Sequence, residues 1–267
     1  MGADTKKLRN RIKSVDSTLH LTKAMGLVAS SKIRRALLAM NRGREYEAAV
    51  RTAIEPLLSC SECQKSPYMR ASGGDRICLV VIAGDRGLAG GYNANIFRAL
   101  RAYPDARIIP IGKRACDRFK DELCYAERFD YEQALGLSLE LCRQFREEQV
   151  DRIGILGTRY LSMLSQEVSL RWILPLEKSE KSASAGVIFE PDEVTVLDAA
   201  IPEYVAGVLV SAVRESFASE VAARRCAMDS AGKNAQQMID DLQLQYNRAR
   251  QGAITQEITE IVAGSGT

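Results

Sequence analysis

Residues 8–33, "LRNRIKSVDSTLHLTKAMGLVASSKI", decide how this chain folds. Apolar or small residues recur in this stretch alternately four and three positions apart: Leu8, Ile12, Val15, Leu19, Thr22, Gly26, Ala29 and Ile33. This spacing is the heptad pattern of a helix that pairs with another helix along one seam. Because the seam narrows between Thr22 and Ala29, a second backbone is expected to approach closely there.

A matching pattern lies near the other end of the chain. Its seam consists of Met228, Gly232, Ala235, Ile239, Leu242, Tyr246, Ala249 and Ala253. All prolines fall between positions 56 and 202, so both ends can form long helices. We predict that they pair within one chain as an antiparallel coiled coil; a homodimeric coiled coil is the alternative. Glycine costs about 1 kcal/mol relative to alanine inside a helix, so Gly232 is interpreted as a close-contact position.

Between the prolines the pattern changes to alternating strands and helices. The runs "RICLVVIA", "ARIIPIG", "DRIGILGT" and "QEVSLRWILPL" predict strands, and "NANIFRALRAY", "KRACDRFKD" and "YEQALGLSLELCRQFREEQ" predict helices. This order is typical of an α/β layer with a largely parallel sheet. The predicted division is a helix over residues 1–56, an α/β domain over 57–202 and a second helix over 203–267. The segment "EKSEKSASAG" is predicted to be a polar, exposed loop.

Composition limits the class of protein. The chain has 267 residues, of which 46% are hydrophobic, so it can bury a core. Its longest apolar run, residues 77–83, is far shorter than the roughly 18 residues of a membrane span, and we expect no direct membrane insertion. Seven cysteines without a framework pattern favour free thiols. The N-terminus lacks an apolar stretch of signal-peptide length, which favours the cytoplasm.

Positive charge is concentrated at the N-terminus. Residues 1–44 contain eleven Lys or Arg against Asp4 and Asp16 only, whereas the whole chain carries a net charge of +3. Such asymmetry predicts an acidic partner or a nucleic acid. A solvated helix face is the alternative interpretation.

The stretches that resemble chemical motifs do not form a catalytic site. "GDRGLAGGYN", residues 84–93, is a glycine-rich turn between a strand and a helix, but it lacks both the P-loop and the dinucleotide-binding spacing. Cys60 and Cys63 could form a redox pair or half of a zinc site, and a pair of free thiols is favoured because further ligands are lacking. His20 is the only histidine, and a lone helical histidine favours packing over catalysis. We predict no catalytic residue, no cofactor and no metal.

Several segments together resemble a known family. "IKSVDSTLHLTKAMGLVASSKIRRA", "GDRGLAGGYNANI", "GKRACDRF", "FEPDEVTVLDAAIPEY" and "YNRARQGAITQEITEIVAG" are similar, in order and over nearly the whole chain, to the gamma subunits of F-type ATP synthases. The resemblance implies an antiparallel coiled coil joined to a Rossmann-like α/β domain. It also implies a non-catalytic rotor that couples ion flow to ATP synthesis or hydrolysis on other subunits.

The resemblance further implies the partners. These are a hexamer of alpha and beta subunits, the epsilon subunit and the membrane c-ring, with the chain peripheral at the cytoplasmic face of a bacterial membrane. In this family the last turns of the C-terminal helix rise into a hydrophobic sleeve, which would shield Ile254, Ile258, Ile261 and Val262. Acidic lever segments of the beta subunits would face the basic N-terminal helix.

Candidate contact residues follow from matched positions. They are Met25, Arg224, Arg250, Gln251 and Thr255 on the helices, and Asp85, Arg86, Gly87 and Leu88 in the glycine loop. The sequence departs from the family pattern at Ala89, Arg225, Gly232 and the final "GSGT", which leaves local packing open. A basic coiled-coil protein that binds nucleic acid, or a dinucleotide-dependent enzyme, is the alternative. The first lacks a nucleic-acid motif and the second lacks its glycine fingerprint.

Overall fold

The computed structural model describes residues 3–70, 73–178 and 188–265. The predicted polar loop over residues 177–186 lies almost wholly outside these described residues. The chain divides into two compact units, one built from residues 1–30 with 224–267 and the other from residues 31–223.

The secondary structure follows the predicted order. The helices and strands, in chain order, are α1 (Ala3–Ser59), β1 (Ile77–Ile82), α2 (Tyr92–Ala99), β2 (Arg107–Ile111), α3 (Lys113–Phe119), α4 (Tyr131–Arg146), β3 (Arg152–Tyr160), β4 (Gln166–Leu174) and α5 (Glu193–Ser265). Short 3-10 helices occur at Cys63–Lys65, Pro67–Met69, Leu100–Ala102 and Ala126–Arg128. Every segment predicted as a strand contains a strand, and every segment predicted as a helix contains a helix. The α/β fold class is therefore confirmed.

The sheet of the larger unit has the strand order β2-β1-β3-β4. The β1–β2 and β1–β3 pairs are parallel, while β4 runs antiparallel to β3. The largely parallel sheet is therefore confirmed, with one antiparallel strand at its edge.

Alternate residues of β1 supply the two faces of the core. Val80 and Ile82 belong to a buried cluster that includes residues of α1, α4 and α5, whereas Leu79 and Val81 pack with residues of α2 and α3. Such burial on both faces explains why the strand is a continuous apolar run.

The smaller unit is the predicted coiled coil. Leu19 of α1 packs with Ala235 and Ile239 of α5. Gly26, further along α1, lies near Met228, which comes earlier in α5. Residue numbers therefore increase along α1 while those of the contacted residues decrease along α5. The two helices are therefore antiparallel and belong to the same chain, as predicted. Every predicted seam residue is buried or half-buried, whereas most of the residues that flank the seam are exposed.

Both long helices pass through prolines that were expected to end them. Helix α1 continues through Pro56 to Ser59, and α5 begins at Glu193 and continues through Pro202. The start of α5 has a good N-cap, since the Asp192 carboxylate accepts a hydrogen bond of 2.9 Å from the Thr195 backbone N–H. Proline removes one backbone donor from the helix, and its neighbour Ile201 is fully buried in the core.

One helix among the described residues, α5, is long and apolar enough by composition to be considered as a membrane span. Most of its apolar stretch is buried inside the protein. Val205 and Leu209, for example, are fully buried in the core next to the sheet. The apolarity of this stretch is therefore explained by core packing.

Gly232, predicted as a close-contact position, does lie against α1, but the contact does not require a glycine. A methyl group at this position would lie 3.6 Å from Thr22 Oγ1 and 3.9 Å from Leu19 Cδ1, which are ordinary van der Waals distances. The structure therefore has room for a side chain of one carbon.

We predict that Gly232→Ala increases the free energy of unfolding of the coiled coil by about 1 kcal/mol, because alanine restricts the unfolded backbone. Denaturant titration followed by circular dichroism measures this change. Gly207→Ala on the same helix is the matched control and should destabilise, since its methyl group would meet Tyr46 Cε1 at 2.9 Å. Equal destabilisation by both substitutions would mean that the helices lie closer than described.

Candidate functional site

The glycine-rich turn lies at the carboxyl end of β1, where it leads into α2. Open α/β sheets commonly bind ligands at this edge. Leu88 and Gly90 have positive φ values of 60° and 58°, so the turn reverses sharply. Arg86 and Leu88 are exposed, and Gly87 is half-buried. These three predicted contact residues are therefore accessible in the isolated chain.

Asp85 has a different environment from the rest of the turn. Its side chain is buried and its carboxylate accepts backbone hydrogen bonds from Lys113 (3.1 Å), Ala126 (2.9 Å) and Glu127 (2.8 Å). These bonds tie the turn to the start of α3 and to the following 3-10 helix. Asp85 thus acts inside the unit, and its predicted role at a partner surface is not supported by its burial.

Glu127 connects the same region to α1. Its carboxylate lies 2.5 Å from Lys32 Nζ and 3.8 Å from Arg86 Nη2. Burial alone raises the pKa of Glu127, but the hydrogen bond and charge of Lys32, helped by Arg86, lower it below the usual range. The Lys32–Glu127 ion pair therefore stabilises the folded chain fully at pH values above the usual pKa of glutamate. This contribution is lost as the pH falls through the lowered pKa of Glu127.

The predicted contact residues on the coiled coil differ in exposure. Met25 is half-buried and Arg224 is nearly buried, with 9% of its surface exposed. Arg225, where the family pattern has methionine, donates a 3.0 Å hydrogen bond to the Gly26 carbonyl. This bond joins the two helices, so the departure from the family pattern is accommodated within the coiled coil.

The end of α5 presents the remaining candidates to solvent. Arg250, Gln251 and Thr255 are exposed, and the Thr255 hydroxyl donates to the Gln251 carbonyl at 3.0 Å. The aliphatic residues that follow are also exposed: Ile254 (47%), Ile258 (56%), Ile261 (69%) and Val262 (64%). Their spacing of four, three and one places them on one side of the helix.

The Cys60 and Cys63 pair does not resemble a reactive or metal-binding site. Burial, followed by the neighbouring Cys60, raises the pKa of the Cys63 thiol to about 12, which disfavours the reactive thiolate. The described residues contain no group of three or more potential metal ligands. His20 is exposed and lies 3.7 Å from Asp16 one turn earlier, which is a surface arrangement.

Sequence reasoning missed a polar groove of about 740 Å³ in the larger unit. Its lining includes Arg44, Arg51, Arg159 and Arg171 together with Glu47 and Glu215. Glu215 pairs with Arg44 at 2.6 Å, and Glu47 pairs with Arg171. The residues come from α1, α5 and the β3–β4 hairpin, so no local sequence pattern could have identified the groove.

Comparison with known proteins agrees with this architecture. The family model described as ATP synthase matches residues 4–267. The ATP synthase gamma chain of Ruminococcus albus is 38% identical, and the alignment covers 98% of both chains. The chain belongs to the ATP synthase gamma-chain family. A second gamma chain, from Geotalea uraniireducens, is 35% identical over 98% of both chains.

Solved structures share the fold of this gamma-chain family member. The rotor of the Euglena gracilis mitochondrial ATP synthase matches with a TM-score of 0.69, 20% identity and coverage of 95% of this chain and 100% of that one. A chain of the Tetrahymena thermophila central stalk and c-ring matches with a TM-score of 0.63 and 20% identity, over 79% and 99% of the two chains. The fold is that of a central-stalk subunit, which confirms the predicted coiled coil and Rossmann-like domain.

We predict that Asp85→Ala lowers the free energy of unfolding by about 3 kcal/mol, because three backbone N–H groups, one of them on the buried Ala126, lose a charged acceptor. Urea unfolding measures the loss. Asp105→Ala, at an exposed position, is the matched control and should change stability by less than about 0.5 kcal/mol. Unchanged stability of Asp85→Ala would contradict the structural role.

Proposed function

We propose that this chain is the non-catalytic rotor subunit of an F-type ATP synthase, which couples ion flow through a membrane ring to ATP synthesis or hydrolysis on an alpha/beta hexamer. The main support for this proposal is an exposed aliphatic stripe near the end of α5, which consists of Ile254, Ile258, Ile261 and Val262. Exposed apolar patches of this kind mark surfaces that another chain covers.

The register of the coiled coil explains why this stripe is exposed. Leu19 packs with Ala235, and continuing the antiparallel register residue by residue places Thr5 opposite Ala249. Helix α1 begins at Ala3, so the described part of α1 ends before it could cover Ile254 and the residues beyond. Burying an exposed isoleucine side chain lowers the free energy by about 1.5–3 kcal/mol. Several such residues on one side of α5 would therefore favour binding of a partner that covers them.

The basic surface of α1 suits a moving contact. Arg9, Arg11, Lys13 and Lys23 are exposed, so their charges can face an acidic surface. Partly solvated ion pairs contribute only about 0 to 1 kcal/mol each. We propose that the acidic partner is the lever segment of the beta subunits, and that weak pairs allow the contact to break and re-form during rotation.

The absence of catalysis is part of the proposal. The glycine turn lacks a P-loop, and its one carboxylate, Asp85, is committed to backbone donors. We infer that nucleotide chemistry occurs on other subunits. We also propose contact with the epsilon subunit and the c-ring, and a peripheral position at the cytoplasmic face of a bacterial membrane, without direct insertion and without nucleic-acid binding.

The candidate contact residues have proposed roles within this picture. We propose that Met25, Arg224 and the accessible turn residues Arg86, Gly87 and Leu88 lie at subunit contacts. The predicted division at residues 56 and 202 is retained as a functional one, between the two rotor helices and the foot domain that meets the ring.

We predict that Ile254→Asp together with Ile258→Asp lowers the yield of assembled alpha–beta–gamma complex by about tenfold or more, because two charges would enter an apolar surface. Native gels measure the yield. The melting temperature of the isolated chain should be unchanged, since both side chains are exposed. Gln256→Asp, two positions from each isoleucine and therefore on the opposite side of the helix, is the control and should assemble. Normal assembly of the double variant would contradict an apolar sleeve.

We predict that Arg250→Ala together with Gln251→Ala lowers both assembly and the coupled rate, because a desolvated charge-assisted bond contributes about 1.5–3 kcal/mol. Deletion from Ile258 onward should be milder, since apolar contacts are spread over many positions. Proton-pumping assays on membranes compare the two. A double variant that pumps like the parent would show that these side chains make no important contact.

A further inference from the structure

Helix α5 makes a set of polar contacts with the carboxyl edge of the sheet. The Ser216 carbonyl accepts a 2.8 Å hydrogen bond from the Tyr92 hydroxyl, and Ser216 Oγ accepts one of 3.0 Å from the Thr158 N–H. Ser219 Oγ donates to the Thr158 carbonyl at 3.3 Å. These contacts hold one segment of the helix against the first residue of α2 and the carboxyl-terminal part of β3.

Glu220 completes this set at the glycine turn. Its two carboxylate oxygens accept hydrogen bonds from the successive backbone N–H groups of Asp85 and Arg86, both at 3.2 Å. The residue is 1% exposed. A methyl group at Gly84 would lie 2.8 Å from Glu220 Cδ, so glycine at this position makes room for the carboxylate.

This arrangement has the features of an anion site. Successive N–H groups in a glycine-rich turn, at the carboxyl end of a parallel strand, are the means by which α/β proteins hold a phosphate. Here the same donors point to a carboxylate of the chain itself. Asp85 places a second carboxylate in the same turn, which favours a singly charged occupant over a doubly charged phosphate.

We propose that the glycine turn is an anion cradle whose resident ligand is the carboxylate of Glu220, and that this internal ligand anchors α5 to the edge of the sheet. The turn is then closed to nucleotide phosphates, and Arg86 and Leu88 are presented outward. The anchor's mechanical use, transmission of torque from α5 to the sheet, rests on the proposed rotor function.

Anion rescue tests the cradle in the full-length isolated chain. Glu220→Ala should lower the melting temperature by about 5 °C. Sodium formate should restore part of this loss relative to sodium chloride of equal ionic strength, and should shift the backbone amide resonances of Asp85 and Arg86. Glu215→Ala is the matched control, because Glu215 also lies on α5 and accepts from a backbone N–H, that of Tyr160. Formate should not specifically rescue this control.

Glu220→Gln keeps the test decisive if the alanine variant does not fold. The neutral amide can offer one acceptor oxygen for two donors, so the Asp85 and Arg86 resonances should move and the melting temperature should fall. Wild-type resonances and stability in Glu220→Gln, or a Glu220→Ala variant that formate neither stabilises nor shifts at these amides, would overturn the proposal.

A second measurement separates the anchor from the rotor function. In the assembled complex, Glu220→Gln should lower the ratio of pumped ions to hydrolysed ATP, while Glu215→Gln should not. Formate rescue with unchanged coupling would keep the cradle and reject its role in torque. Failure of the wild-type chain to assemble with alpha and beta subunits would reject the rotor function and leave the cradle intact.

Discussion

Helix α5 has to bury different apolar residues at different points of its length, and the rest of the structure depends on how it does so. Near residues 201–213 its side chains belong to the core beneath the sheet. From Met228 to Leu242 its seam faces α1 in the coiled coil. Beyond Ala249 the described part of α1 ends, and the aliphatic side chains are exposed. The last stretch is therefore the part of α5 whose apolar side chains no described residue of this chain covers.

Close approach of helices follows from this constraint. Small seam residues such as Ala29 and Ala235 are buried, which allows two backbones to lie near one another. Larger residues such as Leu19 and Ile239 fill other positions of the seam. The combination stabilises the pairing through packing, together with the hydrogen bond from Arg225 to the Gly26 carbonyl, while the exposed sides of both helices carry charged residues.

The periodic parts of the fold could be predicted from the sequence because their signals are local. The heptad seam repeats the period of a paired helix, and the short continuous apolar run of β1, followed by a glycine-rich turn, is typical of a buried strand. Placing the start of the second helix after Pro202 is wrong by ten residues, because α5 begins at Glu193 and continues through this proline. Asp192, directly before the first residue of α5, is the N-cap signal in the sequence, since its carboxylate accepts a hydrogen bond from the Thr195 N–H.

The site was less predictable because its contacts are not local. Glu220 meets the Asp85 N–H across 135 positions of sequence, and no spacing rule connects them. Asp85 was predicted at a partner surface from the family motif, but its bonds to the Ala126 and Glu127 amides require folding of the whole unit. The exposed aliphatic stripe was predictable, since an isoleucine-rich helix end is unusual in a chain that meets water.

Hydrogen–deuterium exchange on the isolated chain and on the assembled alpha–beta–gamma complex tests this account most directly. Amides of residues 254–262 should exchange rapidly in the isolated chain and at least about tenfold more slowly in the complex, because assembly covers the stripe and suppresses local opening. Amides of residues 228–242 should be protected in both. Equal exchange of residues 254–262 in the two samples, or unprotected seam amides in the isolated chain, would contradict the account.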